Sequence, residues 1–204
     1  MPFALGGAVY AAVLVPYALN PGTTDVGYTP QQPVEYSHEL HAGQMGIDCR
    51  YCHNTVDKTA FAALPPTQTC MNCHSHILTD SEKLKPVMES YKTGKPVKWV
   101  IVHDLPDYVY FNHSAHINKG VSCVECHGRV DKMERVSQVK TLSMAWCLSC
   151  HRDPGPNLRP QEFITKLDWQ PPEGEQRQAQ IKQLMNAHKI KSVRQLTDCS
   201  TCHR

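Results

Sequence analysis

Apolar positions are spread unevenly along this chain. Residues 3–19 (FALGGAVYAAVLVPYAL) run for 17 positions without a charge, a length of about 26 Å as a helix and near the lower limit for a bilayer span. Leu84, Val87, Met88 and Tyr91 fall on one face at helical spacing and predict a helix over Ser81–Lys92. Thr79 and Glu82 stand as its capping box, Pro86 is placed to delay or kink its start, and Gly94 ends it. Ile181, Leu184, Met185 and His188 predict another helix near 175–188, and Val97–Val102 is β-branched and aromatic enough for a short strand. The remainder has no sustained period. Residues 20–35 (NPGTTDVGYTPQQPVE) read as an extended linker and 153–160 (DPGPNLRP) as loop. The expected fold class is therefore mostly irregular and α, with few short helices, little β and an N-terminal transmembrane helix.

Residues 3–19 are also compatible with a secretory signal or a helix buried against a partner, since no Lys or Arg precedes them and Pro16 interrupts them. Composition argues against an ordinary apolar core: only 7% of the 204 residues are aromatic and 15 are Pro. Something other than side chains must fill the interior. Net charge is +2, but the first 48 residues hold four acids and no Lys or Arg, while 129–204 hold 13 bases against 8 acids. That surplus serves an acidic partner or neutralises acidic cofactor groups. There is no Gly-rich phosphate loop, and no basic run interleaved with aromatics that would indicate nucleic acid.

All ten cysteines fall into one pattern repeated five times: Cys49-Arg-Tyr-Cys52-His53, Cys70-Met-Asn-Cys73-His74, Cys123-Val-Glu-Cys126-His127, Cys147-Leu-Ser-Cys150-His151 and Cys199-Ser-Thr-Cys202-His203. C-x-x-C-H is the sequence that attaches haem c. Two thiols three residues apart reach the two vinyl groups of one porphyrin, and the adjacent His turns under the iron as proximal ligand. Chance would give about 0.03 matches at these Cys and His frequencies, so the five are not accidental. A disulfide framework has no use for the following His, and zinc or iron–sulfur spacings differ. Five covalently bound haems c are expected, with His53, His74, His127, His151 and His203 as proximal ligands.

The motifs sit in an internal repeat. Tyr36-Ser-His38-Glu-Leu-His41 precedes the first motif and Phe111-Asn-His113-Ser-Ala-His116 the third, with Gly46 and Gly120 in matching places. The chain divides into an anchor helix (1–19), a linker (20–35), a dihaem module (36–76), a connector (77–110), a second dihaem module (111–152) and a C-terminal part with the fifth haem (153–204). Low-spin haems take a second axial ligand. His41 and His116 are assigned to the first and third haems, and His38 and His113, three residues earlier, to the second and fourth. For the fifth haem three candidates stand open: His103, His188 and Met144. His76 reads as a surface residue or one outside the ligand set.

The doubled F/Y-x-H-x-x-H…C-x-x-C-H arrangement resembles the cytochrome c3/c7 group of bis-histidine cytochromes. Trp99-Val-Ile-Val-His103-Asp-Leu-Pro-Asp-Tyr-Val-Tyr-Phe111-Asn-His113, then Met144-Ala-Trp146-Cys147-Leu-Ser-Cys150-His151-Arg-Asp-Pro, Asn157-Leu-Arg159-Pro160 and Asp198-Cys199-Ser-Thr-Cys202-His203-Arg narrow the resemblance. Together they are similar to the pentahaem cytochrome subunit of alternative complex III, over roughly residues 30–204. The resemblance implies one subunit of a bacterial membrane quinol oxidoreductase, relaying electrons from an iron–sulfur subunit to a monohaem cytochrome subunit, a soluble carrier or a terminal oxidase. Quinol is then oxidised in a polytopic membrane subunit, and the haem domain lies on the periplasmic face of the cytoplasmic membrane, with no catalytic site of its own. A membrane-anchored quinol dehydrogenase of the NapC/NrfH kind is the competing class.

Overall fold

The structure, a computed structural model, describes residues 2–19 and 25–203, and within the first helix the side chains of residues 6–18. Its α-helices are α1 (Pro2–Leu19), α2 (Cys49–Cys52), α3 (Thr67–His74), α4 (Lys85–Thr93), α5 (His113–Ile117), α6 (Cys123–His127), α7 (Met144–Arg152), α8 (Gly174–Ala187), α9 (Val193–Leu196) and α10 (Cys199–Cys202). A π-helix spans Glu39–Gln44 and short 3₁₀ turns join the rest. Among the described residues there is no strand, only an isolated antiparallel bridge between Val121 and Leu158. The fold class expected for the body of the chain, mostly helical and irregular, is the one observed.

The helix over residues 3–19 forms and continues through Pro16 to Leu19. Proline this close to the C-terminal end removes one hydrogen bond from the last turns without ending the helix. Val9, Tyr10, Val13 and Tyr17 are each more than half exposed. The expected transmembrane span is not supported, because among the described residues no helix is long and apolar enough to cross a membrane. Residues 20–24 of the expected linker lie outside the described residues. The rest of the linker is docked: Gly27 N–H donates to Gln138 O at 2.8 Å, Gln138 N–H returns to Tyr28 O at 3.1 Å, and Val34 is buried.

The connector differs from expectation in two places. Residues 97–102 form no strand, and Trp99 N–H turns back to Val97 O at 3.1 Å; instead the Gln32 side chain takes both polar groups of Val100, Nε2 donating to its carbonyl and Oε1 accepting from its N–H, each at 2.9 Å. The α-helix starts at Lys85 after a 3₁₀ turn (Glu82–Leu84), with Pro86 in its first turn and no side-chain cap from Thr79 or Ser81. Proline tolerates only the first turn, so it sets where the α-helix begins. Gly94 ends it in the left-handed conformation.

Only eight hydrophobic side chains are buried among the described residues: Val34, Val56, Val87, Ile117, Leu158, Ile164, Leu167 and Leu184. So few cannot offset the conformational entropy of a chain this long, and the interior has to be completed by a large apolar group. The polar centre is Arg159, 5% exposed, which donates to Glu125 Oε1 at 2.8 Å and Lys166 O at 3.1 Å and lies 5.0 Å from the Trp169 ring centroid. Removing one partner of such a pair leaves an uncompensated charge. Arg159→Ala is expected to destabilise the haem-loaded protein by about 3 kcal/mol, the low end for buried pairs because Glu125 is part-exposed. Denaturant titration checks this, and a loss below about 0.5 kcal/mol, as for a surface pair, would contradict it.

Candidate haem-binding sites

Each C-x-x-C-H motif lies on a short helix, and in four of the five a side chain caps that helix. Asp48, Ser122 and Asp198 stand directly before the first cysteine and accept from the backbone N–H of Arg50, Val124 and Ser200. Ser143 caps α7 one turn earlier. A capped helical turn holds both cysteines on one side with the histidine following. None of the ten cysteines is paired in a disulfide, which leaves each sulfur for a thioether. Among the described residues no three or more His, Cys, Asp or Glu side chains converge as a zinc site would need.

Seven imidazoles share one feature. Nδ1 lies 2.8 Å from Ser37 O for His41, 2.9 Å from Ala63 O for His53 and 3.1 Å from Ile77 O for His74. The corresponding contacts are His113 to Ala60 O, His116 to Asn112 O and His151 to Leu196 O, each 2.8 Å, and His203 to Tyr108 O at 3.0 Å. A carbonyl only accepts, so Nδ1 carries the proton and the Nε2 lone pair is left for a metal. This is the orienting partner that metal-bound histidines ordinarily have.

The rings are also spaced for a metal. Ring centroids are 6.2 Å apart for His41 and His74, 6.4 Å for His113 and His127, and 6.1 Å for His116 and His151. Two imidazoles on opposite sides of one metal, at metal–nitrogen distances of about 2.0–2.1 Å, have centroids about 6.3 Å apart. The residues therefore fit haem iron with two axial histidines.

The pairing differs from the one expected from sequence. His41 faces His74 of the second motif rather than the first, and His116 faces His151 of the fourth rather than the third. His113 faces His127 of the third rather than the fourth. A histidine three positions closer to its cysteines in sequence is not closer in space, because the helical turn carries it past the first motif to the second. His38 is the counterpart of His113. Tyr36 contacts His38 edge-on at 4.8 Å and stacks on His41 at 4.4 Å, as Phe111 does on His113 at 4.8 Å and His116 at 4.5 Å. The two copies thus have the same internal geometry. They differ in that His38 Nδ1 is buried without a hydrogen-bond partner where His113 has Ala60.

The three remaining candidates lie apart. His103 contacts His127 edge-on at 4.4 Å, too close for the two to be opposite ligands of one metal, and its buried Nε2 has no partner. His188 packs its buried, unpartnered Nε2 against Gly120, where a Cβ would come within 2.9 Å of it and of Arg159 O; the positive φ of 86° there also requires glycine. Met144 is 64% exposed at the start of α7. The ring neighbouring His203 is Tyr108, 5.9 Å away. His76 is exposed.

A family profile described as cytochrome c7 and related cytochrome c matches residues 109–204. Residues 109–204 are thus similar to c7-like multihaem cytochromes c. The family carries covalently bound haem c and works in electron transport. The chain is also 41% identical over 98 residues to the menaquinone reductase multihaem cytochrome c subunit of Nitratidesulfovibrio vulgaris (strain Hildenborough), across 48% of this chain and 46% of that protein. The match thus spans about half the length of that relative. The carbonyl partners and the Tyr36 and Phe111 stacking escaped the sequence reading, the former because backbone acceptors leave no residue signature.

Burial lowers the pKa of His38 to about 4, with His53 and His41 adding to it, and of His127 to about 3, with His103 and His113 adding to it. Their imidazoles are neutral at pH 7, the form that ligates. Because the folded pKa lies below the ordinary histidine value of 6.5, this contribution to stability is full above pH 6.5 and lost as pH falls toward the folded values. Acid titration followed by circular dichroism is expected to show unfolding building up between pH 6.5 and about 3; stability unchanged down to pH 3 would contradict it. Separately, His116→Ala is expected to convert one low-spin centre of the haem-loaded protein to high spin in the visible spectrum, and an unchanged spectrum would exclude His116 as ligand.

Proposed function

We propose that this chain is the electron-relay subunit of a membrane quinone oxidoreductase, binding five haems c through its five C-x-x-C-H motifs. The observation that carries the reading is the facing of imidazoles at 6.1–6.4 Å. A metal with both axial positions taken exchanges electrons but offers no place for substrate. Ligation is assigned to His53, His74, His127, His151 and His203 on the proximal side and to His38, His41, His113 and His116 on the distal side. Bound haem supplies reversible one-electron chemistry. The protein's own part is to fix the imidazole tautomers, hold the rings with Tyr36 and Phe111, and exclude water through Val56, Ile117 and Ile164, which pack together.

The finer reading is the pentahaem subunit of alternative complex III, on the periplasmic face of the cytoplasmic membrane. It takes electrons from an iron–sulfur subunit and gives them to a monohaem subunit, soluble carrier or terminal oxidase, while polytopic subunits oxidise quinol. The exposed apolar side chains of α1 support attachment to such membrane partners. A second reading has a specific observation behind it. The relative from Nitratidesulfovibrio vulgaris is named for menaquinone reductase, in which electrons run toward quinone.

Mass spectrometry of the mature chain is expected to give the polypeptide plus five haems; a smaller number would contradict the count. The complex purified in mild detergent then separates the functions. Quinol-dependent reduction of a cytochrome c acceptor supports the alternative complex III reading, and menaquinone reduction by a reduced cytochrome donor supports the second. An isolated chain that itself oxidises quinol would overturn both in favour of the NapC/NrfH-like class.

A further inference from the structure

We infer that electrons pass through the motifs in the order second, first, third, fourth, fifth, so that the second and fifth are the two ends of the relay and the first is its internal bridge. The inference rests on the five-haem reading and adds the wiring, which does not follow chain order. Each hop oxidises one centre and reduces the next by one electron, with no bond made and no proton required.

The hop between second and first lies within one repeat. Tyr36 touches both His38 and His41. His41 faces the second motif's His74, and His38 neighbours the first motif's His53. Asn72 Nδ2 of the second motif donates to Tyr51 Oη of the first at 2.9 Å, while the second motif's other contacts stay local or run to the connector: His74 to Ile77 O and Thr67 Oγ1 to Ser90 Oγ at 2.7 Å.

The bridge between repeats runs through the first and third motifs. The loop that follows the first motif is tied to α5 by His113 to Ala60 O, Ser114 N to Thr59 O at 3.2 Å and Asn118 Nδ2 to Asp57 O at 2.9 Å. Val56 and Ile117 pack with Ile164 in the same place. On the other side, Glu39 N donates to Met133 O at 3.0 Å, and Gly43 sits so near Asp131 O that no Cβ fits. The segment bearing His38 and His41 is thereby seated on the chain that leaves the third motif.

Third and fourth share α5, where His113 faces His127 and His116 faces His151. Fourth and fifth are joined through α9. His151 donates to Leu196 O at 2.8 Å, and Leu196 ends α9 just before the fifth motif opens α10 at Cys199. The fifth motif is held to the entrance of the second repeat by Tyr110 N to Cys202 O at 2.8 Å and His203 to Tyr108 O.

The test uses the full-length, haem-loaded protein. Its experimental structure is expected to show the His74 iron nearest the His53 iron, and the His127 iron between those of His53 and His151. A His74 iron nearest that of His127, His151 or His203 would overturn the order. Low-temperature electron paramagnetic resonance reads the same wiring in variants. Cys49→Ala/Cys52→Ala, which removes the first haem, is expected to abolish the magnetic coupling broadening the second haem's signal, whereas Cys199→Ala/Cys202→Ala leaves it unchanged. Broadening that survives loss of the first haem would refute the bridge. Where the variant fails to mature, the wild-type structure decides. A haem count below five would fail the function reading instead, leaving the order among the loaded motifs to be read from that structure.

Discussion

The bond from imidazole Nδ1–H to a backbone carbonyl is the constraint on which this structure depends. It recurs at seven histidines, and each time it decides three things together. It fixes the tautomer, points Nε2 away from the chain, and ties the ligand to a segment whose position is set elsewhere. Several of these ties are long in sequence, from His113 to Ala60, from His151 to Leu196 and from His203 to Tyr108. The ligand set is therefore also the scaffold that joins the two repeats and the C-terminal part. With so few buried apolar side chains, few other contacts hold the parts together.

A protein built this way needs its cofactors to be folded. The facing imidazoles leave gaps suited to metal centres, and His103 and His188 bury Nε2 atoms without partners, a cost of roughly 1–3 kcal/mol each when nothing satisfies them. Where the peptide does pack on itself, it uses glycine at close approaches and capped turns at the motifs. The buried Arg159 is held between Glu125 and Trp169.

Much of the site was legible in the sequence because its chemistry is local. C-x-x-C-H encodes attachment and proximal ligand within five residues, and the doubled H-x-x-H marks the repeat. Asp48, Ser122 and Asp198 were legible too, as capping residues directly before a cysteine, though the motif drew attention away from them. The distal pairing was not. Which motif His41 or His116 faces depends on where the chain returns after a turn, and spacing to the nearest cysteine is a poor guide to that. The strand expected at 97–102 failed for a similar reason: β-branched residues favour extension, but a ladder needs a neighbour, and here a Gln32 side chain takes that place. The membrane span was inferred from length and apolarity, and the helix forms without being long and apolar enough in its described part.

The central claim, that facing histidine pairs hold the irons, has a spectroscopic signature in the ring planes. His113 and His127 are nearly parallel at 4°, His116 and His151 are at 27°, and His41 and His74 are at 63°. Parallel imidazoles split the iron d orbitals strongly and give rhombic low-spin signals, whereas steeply crossed ones give highly anisotropic signals at low field. Electron paramagnetic resonance of the oxidised, haem-loaded chain is predicted to show both low-spin classes together, with the crossed pair assigned by its loss in His41→Ala. A spectrum dominated by high-spin iron would contradict the account.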